Sequence, residues 1–294
     1  MSAEKRRRLS GFPDNRKLRL WVAMLLLPVM AGWTSEATAR LPELRPATLR
    51  SFQDYVTRTE VRNEEGLRAQ TFLWIDDSPG QARQEAQSKL KEGGVAVRQL
   101  HGQSSDDSSQ IQGGMIHDWQ GIVFIPGAKL DEVLALLEDN NNHASYYAPD
   151  VERARIESRD GDHFRVFMRF RRHKVVTVVL NTEQDITYYR DSPTRAHSRS
   201  TAVRIREVAD PGTNSEREKS LEEETGFLWQ METWWRMEER DGGVYVQNEA
   251  VTLTRDIPTG LGWLIEPFVT SIPKETLEFT LGATRKAVLA HEKH

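Results

Sequence analysis

Eight histidines, at 101, 117, 143, 163, 173, 197, 291 and 294, are the first residues of this chain that could hold a metal or move a proton. None stands in the H-x-H or H-E-x-x-H spacing that puts two imidazoles on one ion. His291 and His294 are three apart, but they sit at a chain end, where order is lost first. His117 is next to Asp118, yet neighbours on a strand point to opposite faces, so the pair is poorly placed as base and orienter. Serine hydrolysis would need a G-x-S-x-G elbow, and none exists. The chain has no cysteine, which excludes thiol nucleophiles and thiolate zinc sites. There is no G-x-x-x-x-G-K-[ST] loop and no dinucleotide fingerprint; Gly260-Leu261-Gly262 follows Pro258 in an antiparallel context and does not serve as one. No catalytic residue, metal or cofactor is therefore assigned. The sequence leans away from an enzyme while leaving one open, with His117, Tyr146 and Glu232 as candidate acid–base groups.

Two further clusters carry charge or large apolar area. Arg165, Arg169, Arg171, Arg204 and Arg206 give several strands a basic side, and Glu152, Glu157 and Glu238 offer partners. Cross-strand ion pairs on a solvated face are the expected outcome. In FLWQMETWWRMEER (227–240), Phe227, Trp229, Met231, Thr233 and Trp235 alternate on one side, with Leu228, Gln230, Glu232 and Trp234 on the other. Such a stripe lines a pocket or fills a core.

The elements that must position these residues follow from periodicity. Helices are expected over 48–61 and from Ser78-Pro79, with Ser78 as N-cap, to about Lys91, ended by Gly93-Gly94. A short strand, 71–75, lies between them. A strand at 95–100, a polar loop through SSDDSS (104–109), a strand over 115–127 and a helix from Leu130 to Leu137 come next. From Val151 the pattern has period two, with strands at 151–158, 163–172, 175–180, 185–190, 198–208, 226–239 and 244–254. Residues 210–225 form a charged loop. The chain then closes on a helix: Leu261, Leu264, Ile265, Phe268, Val269 and Ile272 fall on one face, with Pro267 inside that span and the small residues Gly282, Ala283 and Ala287 beyond it. The fold class is thus α+β, a curved antiparallel sheet wrapped around a long C-terminal helix, with helices at the N-terminus.

The first 39 residues are set apart. Lys5-Arg6-Arg7-Arg8 and Arg16-Lys17-Leu18-Arg19 precede a 14-residue apolar stretch (20–33) and the small-x-small site Ala37-Thr38-Ala39. That order predicts a signal peptide cleaved near Ala39 and a periplasmic or secreted protein. The alternative is an uncleaved anchor, although membrane spans want about 20 apolar residues. Without the leader's seven basic and three acidic residues the chain keeps 33 and 41, net −8. That balance argues against nucleic acid as a partner.

The order and local texture resemble the START-like, or helix-grip (SRPBCC, polyketide cyclase-like), superfamily, as a bacterial exported member. WQGIVFIPGAKLDEVLALLED (119–139) matches its strand-then-helix opening and YYAPDVERARIESRDGD (146–162) its next strand. RRHKVVTVVLNTEQDITYYR (171–190) matches the central hairpin, and GLGWLIEPFVTSIPKETLEFTLGATRKAV (260–288) the gripping helix. The resemblance covers about 95–288 and carries fold more than function. Beyond the expected signal peptide (1–39), it implies an N-terminal helical extension (40–94) and a START-like domain (95–291). It also implies an internal cavity for an apolar ligand or lipid, without catalysis, and contact with a membrane periphery. The expected lining is Trp119, Phe167, Trp229, Trp235, Leu264, Phe268, Leu281 and Ala283. Phe167 competes for the inner face with Val166, Met168 and Phe170. The alternatives are a cyclase or aromatase using the same cavity, and an envelope assembly protein whose cavity is vestigial.

Overall fold

A computed structural model describes residues 44–69, 71–100, 110–173, 177–255 and 262–291, the side chains of 110 and 262–270 excepted. Residues 1–43, the SSDDSS run and the residues at 256–261 lie outside that description. Residues Leu41–His294 form one compact unit.

Helix α1 (Pro46–Arg68) begins on a proline, which fits a first turn whose N–H groups have no partner inside the helix. It runs seven residues past the predicted end at 61. Its buried residues Phe52, Tyr55, Thr59 and Asn63 share one face. The predicted strand at 71–75 is instead an extended approach to a 3-10 turn, Trp74–Asp76. Phe72, Leu73, Trp74 and Ile75 are buried, but the Trp74 backbone N–H bonds the Gln247 side chain at 2.8 Å rather than a neighbouring strand. An apolar run buried on all sides reads the same whether or not it pairs. Helix α2 (Gly80–Lys91) follows, and Gly93 takes the left-handed conformation expected after a helix end (φ 77°). Ser78 does not cap it; its hydroxyl donates back to the Trp74 carbonyl at 2.8 Å.

The sheet uses β1 (Ala96–Gln99), β3 (Gly114–Pro126), β4 (Val151–Asp160), β5 (His163–His173), β6 (Thr177–Ser192), β7 (Arg195–Ala209), β9 (Gln230–Arg240) and β10 (Gly243–Thr254). Their spatial order is β1-β3-β10-β9-β7-β6-β5-β4, all antiparallel. Two-residue strands β2 (Gln110–Ile111) and β8 (Arg217–Glu218) pair with β3 and β7. The two strands predicted at 175–180 and 185–190 are one: β6 passes unbroken through Asn181-Thr182-Glu183, and the bulge opposite Glu183 and Gln184 falls at Val203 of β7. Between β3 and β4 lie α3 (Leu130–Glu138) and the single turn α4 (His143–Tyr146). The chain closes with α5 (Gly262–His291).

Each face of the sheet has its own core. Outside, Phe52 and Tyr55 of α1 pack on Ile116, Trp234, Val251 and Leu253, while residues 72–75 and α2 pack on Ile122 and Ala96. Inside, α3 and α5 bring Leu130, Val133, Leu277, Leu281 and Val288 onto Val123, Ile125, Val244 and Val246. Gly121 of β3 decides how closely α5 approaches. A methyl group there would stand 2.7 Å from Leu281 Cδ1 and 3.1 Å from Leu277. The missing side chain lets α5 sit down on the β3 side of the sheet.

Candidate functional site

With α5 seated over β3, the middle of the inner face is left uncovered, and its side chains are short. Strand register aligns Ile186, Ser200, Thr233, Ala250 and Trp119 in one row across β6, β7, β9, β10 and β3. The next row reads Tyr188, Ser198, Trp235, Asn248, Gly121. Three small residues in the first row cannot reach the helix above them. The result is a cavity of about 300 Å³ between these strands and residues 272–280 of α5, where Ile272, Pro273, Thr276, Leu277, Phe279 and Thr280 face it. An antiparallel sheet holding one long terminal helix across a hollow inner face decides the architecture.

The fold is a helix grip.

No family model and no curated relative matches the sequence. Among solved structures, a Thermus thermophilus protein is similar at 17% identity, covering 58% of this chain and 97% of that one, TM-score 0.43. A STAR-related lipid transfer protein from Xanthomonas axonopodis is 17% identical, over 66% of this chain and 98% of that one, TM-score 0.42. An aromatase/cyclase from Streptomyces is 11% identical, over 59% and 93%, TM-score 0.38.

Of the residues expected to line the helix-grip cavity, Trp119 and Trp235 do so. Phe167 does not. It lies on the other face of β5 with the Arg155 guanidinium 4.0 Å from its ring centre, and Met168 and Phe170 take the inner positions. Trp229 is also misplaced by the alternation. It precedes the first residue of β9, gives its N–H to the Leu253 carbonyl at 2.7 Å and packs in the outer cluster with Phe52 and Trp234. Phe227, Leu228, Met231 and Thr233 line the cavity in its stead. Leu281 is fully buried against Gly121, as core and not as lining. Ala283, half-buried, is not in the wall either, and the side chain that turns inward beside it is Thr284. The small residues of α5 therefore do not open the cavity; those of the sheet do. Leu264 and Phe268 fall in the first turns of α5, whose side chains lie outside the described residues.

Polar groups outside the expected lining also reach the wall. His143, Tyr147, Asp150, Arg172, Gln184 and Asn248 are among them. Burial holds His143 neutral by lowering its pKa to about 4, and its Nε2 lies 3.4 Å from the Leu136 carbonyl. Burial likewise raises the Tyr147 hydroxyl to about 12, against the opposing hydrogen bond with Thr284 Oγ1 at 3.0 Å. At the far edge of the sheet Arg172 and Asp150 form an ion pair of 2.7 Å. Burial pushes the Asp150 carboxyl up and the Arg172 guanidinium down, each opposed by the other's charge. Ser200 donates to Gln184 Oε1 at 3.1 Å, and Gln184 Nε2 to Thr182 at 3.2 Å.

The acid–base candidates read from the sequence lie elsewhere. His117 Nε2 meets Thr254 Oγ1 at 3.1 Å, Tyr146 donates to Asp139 at 2.6 Å, and Glu232 accepts from Thr201 at 2.6 Å. None of the three is in the cavity wall. The arginine side of the strands is structural as well: Arg169 bonds Glu152 and Glu216 at 2.8 and 2.9 Å, and Arg165 pairs with Asp185 at 2.7 Å. Among the described residues no group of three or more His, Asp or Glu side chains is arranged to hold a metal.

Proposed function

We propose that this protein binds and carries a lipid or similar apolar molecule in the cavity beneath α5, without chemistry. The observation that carries the reading is a 300 Å³ space walled by Trp119, Trp235, Met168, Phe170, Ile186 and Leu277. That volume lies at the lower end of ordinary ligand sites, and its wall is of the usual mostly apolar kind. A ligand hiding roughly 200 to 300 Å² of apolar surface there gains about 5 to 7 kcal/mol before ordering costs. No directional motif is needed for that, which is why the sequence contains none. The wall also opposes the envelope-assembly alternative, in which large side chains would fill the space.

The cyclase-type alternative draws on His143 and Tyr147, two of the titratable ring groups in the wall. Both are poorly tuned for it. An imidazole with a pKa of about 4 is a weak base, and a hydroxyl at about 12 gives up its proton reluctantly. Titration with a naphthalene-type fluorescent probe, followed by displacement with fatty acids, sterols and phospholipids, tests the binding reading. Saturable binding at one site per chain, reversed by at least one lipid class, is expected. A flat titration would remove the reading.

We also propose that the chain is exported, on the order of basic residues, apolar stretch and Ala37-Thr38-Ala39 in its first 39 residues. Residues 1–45 fused to a reporter active only outside the cytoplasm should yield secreted product cut near Ala39. Retention in the cytoplasm with Met1 intact counts against it.

A further inference from the structure

Asn248 is an oddity in an apolar wall. It faces inward from β10, between the inward-facing Val246 and Ala250, and is 4% exposed. Its neighbours across the ladders are Trp235 on β9 and Gly121 on β3, neither of which offers a side-chain acceptor. Its Nδ2 has no hydrogen-bond partner among the described residues. Buried amides are paired in nearly all folded proteins, so an unpaired one on a cavity wall calls for a partner that the chain does not supply. An unpaired carbonyl oxygen is tolerated more readily than an unpaired N–H, so the missing partner is an acceptor.

We propose that Asn248 is the specificity-determining donor of the cavity and that the ligand is an apolar molecule bearing an acceptor oxygen, a carbonyl, ester or hydroxyl. That oxygen would sit level with Trp235 and Ser198, the residues of the same sheet row. The proposal rests on the binding reading above and narrows it. A purely hydrocarbon ligand leaves the amide buried and unpaired, and sites of that design discriminate strongly against analogues lacking the oxygen.

The test compares prodan, a naphthalene ketone whose emission moves to the red when its carbonyl accepts a hydrogen bond, with 2-dimethylamino-6-propylnaphthalene, which lacks the carbonyl. The wild-type protein should favour prodan. Asn248→Leu, of similar size and unable to donate, should lower that preference about tenfold, shift bound prodan emission to the blue and keep or raise the thermal midpoint. If Asn248→Leu does not fold, Asn248→Ala carries the same ratio measurement. A wild-type protein that binds the carbonyl-free probe yet favours prodan no more than the variant does overturns the role of Asn248 and leaves the binding reading standing. A wild-type protein that binds neither probe overturns both.

Discussion

Ala250→Phe is expected to cut the affinity for an apolar probe about a hundredfold while leaving the protein folded. Ala250 sits in the row of short side chains, between Thr233 and Trp119, and faces the cavity. A ring placed there enters a 300 Å³ space that holds no protein atoms. A ligand then hides roughly 120 Å² less apolar surface, about 3 kcal/mol, which corresponds to the hundredfold loss. Stability should hold or rise, because the ring fills a void. Had the row been close-packed, the same change would overpack it and cost about 1 to 3 kcal/mol. The thermal midpoint and the probe titration, measured on the same sample, separate the two. A large drop in midpoint with unchanged probe affinity contradicts the cavity.

A second large effect is expected on the outer face, where α1 covers a charged cluster. Glu249 is 1% exposed and Asp118 fully buried. Arg62 of α1 pairs with both, at 3.5 Å from Asp118, and the Tyr55 hydroxyl donates to Asp118 at 2.8 Å. Gln120 and Asn63 donate to Glu249 Oε2 at 3.2 and 3.4 Å. Burial, together with the neighbouring Asp118 carboxylate, raises the Glu249 pKa from 4.5 to about 7, against the attraction of Arg62 and Arg236. Between those two pH values the folded state keeps a proton that the unfolded chain has released. The contribution of this group is therefore greatest below 4.5, falls as pH rises towards 7 and is flat above it. Glu249→Gln cannot lose that proton and should gain on the wild type across the window, by up to roughly 3 kcal/mol. Urea unfolding of both proteins at pH 5 and pH 8 measures it. Curves that stay parallel between the two pH values would place the Glu249 carboxyl at its ordinary range.

Much of the fold was legible in the sequence because period is a local property. The alternation put Met231, Thr233 and Trp235 on one side of their strand, and all three face the cavity; DGD at 160–162 and DGG at 241–243 marked hairpin turns that exist. What failed depended on contacts far apart in the chain. Trp229 keeps the parity of its neighbours but lies one residue before the ladder begins, so parity does not bind it. Phe167 and Phe170 are equally apolar, and only the register of β5 against β6 sends one in and the other out. The small residues of α5 suggested an opening at Gly282 and Ala283. The helix height is set instead by Gly121, some 160 residues earlier, against Leu281. Asn248, Ala250, Thr252 and Thr254 gave an unused signal: an inward-facing run of small and polar residues on a central strand, where a filled core would carry large ones.

The central claim, that the cavity beneath α5 holds an apolar molecule, is tested most directly by native mass spectrometry of the protein purified from its own host, beside Ala250→Phe prepared identically. The account predicts one non-covalent adduct per wild-type chain, extractable into organic solvent, and its loss from the variant. A wild-type chain without any adduct that also fails to take one up from mixed lipids, or an adduct retained equally by Ala250→Phe, would contradict it.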